Sequence, residues 1–156
     1  MENKIFLKKL FNQGKLKIVD SSEEIKDSYI EKSGSNLTSA KILLENDLLE
    51  ESITLTYYSM YNSVIALMFK CGIKCENHSA SIILLKEIFE IDNSKLFYAK
   101  KERIDKQYYT DFDIKKQEVI DAIRDAEMFT NELIDFISKM NNIDITNYRN
   151  KLEGIL

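Results

Sequence analysis

The sequence predicts an all-α protein, an antiparallel four-helix-type bundle with short accessory helices, folded as a single domain over residues 1–156. Three observations carry this expectation. The chain has no proline and only four glycines, so it lacks the turn residues that a sandwich or barrel of many short strands requires. Apolar residues recur at steps of three and four along several long stretches, which is the period of a helix face. No stretch of any length alternates apolar and polar residues as a half-buried strand does. With 156 residues, 44% of them hydrophobic, the chain can bury a substantial core.

A first short helix is expected over residues 4–12, ending at Gly14. Ser21 followed by Glu24 has the spacing of a capping box and opens a second helix. Along it Tyr29, Ser33, Leu37, Ala40, Leu44 and Leu48 share one face, and Gly34 is a weak point near the middle. The third helix, residues 51–71, contains an uncharged run from Ile53 to Phe69. That run is shorter than the ~20 residues of a membrane-spanning helix. It also carries Thr54, Thr56, Ser59, Asn62 and Ser63, which are costly in lipid. It therefore reads as a central helix enclosed by others. Within it Ser52, Thr56, Ser59, Ser63 and Ala66 form a stripe of small side chains suited to close helix packing, and Tyr57, Tyr61, Val64 and Met68 form a bulkier stripe beside it.

Gly72 stops this helix, and Asn77 or Ser79 can cap a fourth that carries Ile82, Leu85, Ile88 and Phe89. A fifth is expected over residues 94–108, with Leu96, Phe97 and Ile104 turned inward. The last long helix, residues 115–139, sets Val119, Ile123, Ala126, Thr130, Leu133 and Ile137 in one heptad-like row. Glu118, Asp121, Arg124 and Asp125 face away from it.

A net charge of −4 speaks against a protein held to duplex by a broad basic surface, yet leaves room for a local basic groove. The opening "MENKIFLKKLFNQGK" is too short and too broken by charge for a secretory signal. Two cysteines without such a signal point to a reducing cytoplasm. Cys71, Cys75 and His78 have the spacing C-x3-C-x2-H, but no fourth ligand completes a zinc site. The cysteines read instead as small hydrophobic residues near a helix end, and neither a metal nor another cofactor is expected. His78, the only histidine, falls near a helix start, where free backbone amides favour an anion. The stretch "AKKERIDKQYYTDFD" interleaves Lys100, Lys101, Arg103 and Lys106 with Tyr108 and Tyr109, the combination that grips phosphates and stacks bases. Its bland alternative is a solvated helix face with Glu102 and Lys106 paired.

These pieces together resemble a known family. "YYSMYNSVIALMFKCGIKCENHS" is similar to the "YYAMFHAA-ALL…G…H" signature of a prokaryotic subfamily of HEPN domains, and "RIDKQYYTDF" to its "R-x3-DY-DF" segment. An acidic helix, "EVIDAIRDAEMF", follows in both, and the likeness runs from about Ser22 to Lys139. The resemblance implies a helical bundle that forms a homodimer and is paired with a minimal nucleotidyltransferase in a toxin–antitoxin-like system. It fits binding of RNA or nucleotide, for which Lys100, Arg103, Lys106, Tyr109 and Tyr58 are the candidate contacting residues. Many HEPN domains are metal-independent ribonucleases with an R-x4-6-H motif, in which a 2′-hydroxyl attacks the adjacent phosphate.

The match departs from that motif. Arg103 takes the arginine position, but Tyr108 stands where the nuclease has histidine, Gln107 where the closer subfamily has aspartate, and Thr110 where a toxin version carries tyrosine. A tyrosine with the usual pKa of about 10 is a poor general base at neutral pH. On an ideal helix Arg103 and Tyr108 also point about 140° apart. The expectation is a degenerate catalytic motif with retained binding. Its alternatives are a ribonuclease toxin that uses Arg103 with His78 or Tyr108 as catalytic residues, and a non-catalytic helical interaction module.

Overall fold

The computed structural model describes residues 1–108 and 113–156, with Gln107 and Tyr108 described by their backbone alone. The chain runs α1 (Glu2–Asn12), β1 (Leu16–Ile18), α2 (Glu23–Glu45), α3 (Leu49–Lys70), β2 (Ile73–Cys75), α4 (His78–Glu87), α5 (Ser94–Tyr108), α6 (Lys116–Lys139) and α7 (Asn142–Glu153). The all-α expectation holds, with helices α2, α3, α5 and α6 packed around one another. No helix among the described residues is long and apolar enough to cross a membrane.

α3 is the axis of the bundle, and its residues from Met60 to Met68 are all buried. The small-residue stripe does what its composition suggests. Ser33 of α2 donates to the Ser59 carbonyl at 2.6 Å, and Ser52 of α3 donates to the Ala40 carbonyl at 2.7 Å. Such cross-helix bonds require close backbones, which larger side chains would hold apart. Ser59 and Ser63 satisfy their hydroxyls on carbonyls of their own helix, Thr56 and Met60, at 2.7 and 2.6 Å. The α6 row of Val119, Ile123, Ala126, Thr130, Leu133 and Ile137 is buried throughout.

Four expectations need correction. The cap of α2 is Ser22, whose Oγ accepts from the Ile25 amide at 3.1 Å, not Ser21. With isoleucine at the third helical position the reciprocal half of a capping box is missing. Phe97 is 62% exposed, because adjacent Leu96 takes the inward position and one residue turns the side chain by about 100°. α2 also passes Gly34 without interruption.

The fourth correction is that α6 is not the last helix. α7 follows, started by a capping box in which Asn141 accepts from Asp144 N–H and Asp144 accepts from Asn141 N–H, both at 2.9 Å. α7 carries Arg149, whose Nη1 donates to the carbonyls of Val19 (2.7 Å) and Cys71 (3.3 Å).

An unexpected two-stranded antiparallel ribbon joins the ends of the chain's first half, pairing Leu16 with Cys75, Lys17 with Lys74 and Ile18 with Ile73. Its turn out of α3 is made at Gly72, which has φ +71°. A Cβ there would run into the Val19 carbonyl oxygen and the Arg149 guanidinium, so glycine is required for both backbone angle and space. The ribbon ends at Cys75, three residues before α4 begins with His78. It therefore sets where His78 stands against α3.

Candidate functional site

Tyr57 and Tyr58 of α3, His78 at the first position of α4, and Lys100 and Arg103 of α5 converge on one face of the bundle. Each arrives for a local reason. Asn77 accepts from the Ala80 amide at 2.9 Å and so fixes the start of α4. This leaves the amides of His78 and Ser79 without a partner inside the helix, as at any helix start. Lys100 and Arg103 lie three apart on α5, which puts them on the same face. The tyrosines come from the enclosed helix, so their rings are held by packing.

The contacts are specific. Tyr57 Oη and His78 Nδ1 are 2.9 Å apart. The His78 ring stacks on Tyr61, with centroids 3.9 Å apart, and meets Tyr58 edge-on at 6.3 Å. The Arg103 guanidinium lies 4.9 Å from the Tyr57 ring centroid and 5.4 Å from that of Tyr58, and its Nη1 donates to Tyr58 Oη at 2.8 Å. Lys100 Nζ donates to Ser79 Oγ at 2.6 Å. Arg103 Nε is buried and has no hydrogen-bond partner among the described residues, a condition that costs ~1–3 kcal/mol unless another group relieves it.

The electrostatics are those of an uncompensated cation pair. Among the described residues neither Lys100 nor Arg103 forms an ion pair with a carboxylate. Burial holds the Lys100 ammonium below its ordinary pKa, and the nearby Arg103 charge adds to this. Burial likewise lowers His78 below the usual imidazole value, with the charges of Arg103 and Lys100 reinforcing the shift. His78 is thus neutral at pH 7. Burial pushes the Tyr57 phenol well above the usual tyrosine range, so it keeps its proton.

These states determine the tautomer. Tyr57 is fully buried, and His78 Nδ1 is the one hydrogen-bond partner of its hydroxyl among the described residues. If Nδ1 carried the proton, the phenolic hydrogen would be buried without an acceptor. Tyr57 therefore donates to Nδ1, and the single proton of the neutral ring sits on Nε2. His78 presents a donor at Nε2, not a lone pair.

Of the residues singled out in the sequence, His78, Arg103, Lys100 and Tyr58 are brought together. Lys106 turns toward α6, with Nζ 3.4 Å from Glu118 Oε2 and 3.5 Å from the Asp113 carbonyl. Tyr109 and the side chain of Tyr108 lie outside the described residues. Cys71 donates to Met140 Sδ at 3.3 Å and Cys75 to the Asn77 carbonyl at 3.4 Å. They point to different partners, and among the described residues no group of three histidine, cysteine or acidic side chains could hold a metal ion. Sequence reasoning missed Tyr57, treated as part of a bulky stripe, and Ser79. The available signal was the Tyr57–Tyr61 spacing of one helical turn, which presents two rings to one partner.

The family model for the HEPN domain matches residues 26–139. The chain belongs to the HEPN-domain family. Two relatives are similar to this HEPN protein. One, from Methanocaldococcus jannaschii, bears the name "Putative toxin MJ0605" and is 28% identical over 121 residues, which is 73% of this chain and 89% of that protein. The other, "UPF0332 protein PH1297" of Pyrococcus horikoshii, is 39% identical over 64 residues, 41% of this chain and 44% of that protein.

Proposed function

We propose that this HEPN protein is a toxin-type RNA-binding protein that holds an RNA phosphate at Arg103, Lys100 and His78 without cutting the chain. The observation that carries the reading is the 2.9 Å contact of Tyr57 Oη with His78 Nδ1, from which the tautomer follows. A phosphate oxygen needs donors, and the site supplies Nε2–H of His78, the guanidinium of Arg103, the Lys100 ammonium and the free amides at the start of α4. Among the described residues, two cations without carboxylate partners, one with an unsatisfied buried N–H, form a site suited to an anion. The name of the Methanocaldococcus relative supports the toxin context. Phe97 and Tyr98, both more than half exposed on α5, support a face for a second copy of the chain.

Cleavage by 2′-hydroxyl attack needs a base to take the hydroxyl proton while the 5′-oxygen leaves and gains one. With the proton on Nε2 and Nδ1 bonded to Tyr57, His78 is not in the form of a base, and among the described residues the cluster offers no other. The ribonuclease reading keeps one observation in its favour, the presence of His78 and Arg103 in the same cluster.

Fluorescence anisotropy with a labelled single-stranded RNA, titrated with salt, tests the proposal. Arg103→Ala and Lys100→Ala are each expected to weaken binding about tenfold or more, and to reduce the salt slope by about 0.7 for each phosphate no longer neutralised. RNA binding unaffected by either substitution overturns the reading. RNA fragments ending in cyclic phosphate, absent in His78→Ala, would establish the ribonuclease instead.

A further inference from the structure

A groove of about 500 Å³ opens between α2, α3 and β2, beside the phosphate site and sharing two of its walls. Tyr58, which accepts from Arg103, and Tyr61, which stacks on His78, both line it. Its volume is within the ~300–1,000 Å³ typical of small-molecule sites. The far wall is a second aromatic pair, Tyr29 and Phe69, stacked with centroids 5.8 Å apart and planes 10° from parallel. Lys32 places its ammonium 5.8 Å from the Tyr29 centroid at the groove's edge. The other cation, Lys74, is paired with Glu76 at 3.3 Å.

Asn62 also lines the groove. It is 5% exposed, and its side-chain amide, which makes no hydrogen bond to another described residue, is reached from the groove. An amide offers one donor group and one acceptor side by side, the pattern that pairs with the edge of a nucleobase. Aromatic walls, a cation at the edge and an amide lining the groove with its bonding groups free among the described residues together describe a site for a flat, polar-edged ring.

We infer that this groove is a nucleobase subsite. It seats an unpaired base of RNA, adjacent to the phosphate held by Arg103, Lys100 and His78, with Asn62 bonding the base edge and Lys32 facing the next phosphate. The inference rests on the phosphate-binding reading above, and it adds the substrate class. The base must be unstacked to enter, so single-stranded or looped RNA is bound and duplex is not. Continuity with the cation pair through Tyr58 and Tyr61 favours RNA over a peptide as the occupant.

The experiment uses the full chain and a short single-stranded RNA of mixed sequence, together with versions in which one position at a time is made abasic. Binding is read by anisotropy. With the wild type, one abasic position weakens binding about five- to a hundredfold, the effect of losing one stacked base, while its neighbours matter little. Asn62→Ala and Lys32→Glu each bind the intact RNA more weakly, and Asn62→Ala flattens the abasic scan. Lys32 is exposed, so its variant gives the answer if Asn62→Ala does not fold.

RNA that binds through Arg103 but is indifferent to every abasic position and to both groove variants overturns the subsite while leaving the phosphate reading intact. Duplex RNA bound as tightly as single strand does the same, as does a groove that proves to be covered by a second copy of the chain or by a peptide. No RNA binding at all overturns both.

Discussion

Tyr57→Phe removes one oxygen from a fully buried side chain and is the sharpest probe of the site. The ring stays, so its stacking with Tyr61 (centroids 6.0 Å) and its approach to the Arg103 guanidinium (4.9 Å) are kept. The variant gives up the 2.9 Å bond to His78 Nδ1. A bond between neutral partners contributes ~0.5–1.5 kcal/mol. His78 is only half-buried, so water can reach the freed nitrogen and the full penalty of an orphaned acceptor does not apply. The expected loss is about 1 kcal/mol, which for a chain of this size lowers Tm by about 2–4 °C.

The decisive assay is nitrogen-15 NMR of the imidazole, which gives a single pair of ring signals because the chain has one histidine. The wild type is expected to show the neutral ring with its proton on Nε2, and Tyr57→Phe a mixture of the two tautomers. A wild-type ring protonated on Nδ1 would refute the reasoning. Nε2 would then hold a lone pair, and the ribonuclease reading would become the better one.

Other expectations concern the same elements. Gly72→Ala forces a left-handed backbone angle on a residue with a Cβ, at ~1–2 kcal/mol, and displaces the charge-assisted Arg149 bond to Val19, at ~1.5–3 kcal/mol. A loss of about 3 kcal/mol or more, seen as a Tm lower by about 6–12 °C in calorimetry, is expected; a change within about 2 °C would show that the ribbon rearranges freely. Because the folded pKa of His78 lies below its ordinary 6.5, the unfolded chain binds the proton first. The fold should therefore lose stability as pH falls below about 6.5 until the lowered folded value is passed, with no contribution above it. Urea unfolding of wild type against His78→Gln across about pH 5–8 reads this, and the difference should be flat above about pH 7. Finally, Arg103→Lys should not restore RNA binding, since a single ammonium replaces neither the guanidinium fork nor its buried Nε–H; recovery to within about twofold in anisotropy would show that charge alone suffices.

How much of this was legible follows from which signals are periodic. α3 and α6 announce themselves because a long enclosed face repeats every three or four residues, and their buried rows were readable residue by residue. α7 is polar on most sides, with Ile143 exposed and only Leu152 fully buried, so no apolar row marked it. Strands of three residues are too short to show alternation, and the cap fell one residue past the capping-box spacing, on Ser22, whose amide also donates to the Phe69 carbonyl. The convergence of His78 with Arg103 depends on how β2 and α4 are hung from α3, a relation between distant segments that local patterns do not encode. The tautomer depends on a single bond across 21 positions and lay further still from view.

The family match begins at residue 26, whereas the strand that β2 pairs with is Leu16–Ile18, and the guanidinium that fastens the Gly72 turn comes from Arg149, beyond the match's end at residue 139. The stretch matched by the family is therefore shorter than the stretch these contacts tie together. Trimming the protein to its recognisable part would unzip one side of the ribbon, free the turn at Gly72 and let the start of α4 drift. Two flanks that carry no signature act as the splint for the histidine that does.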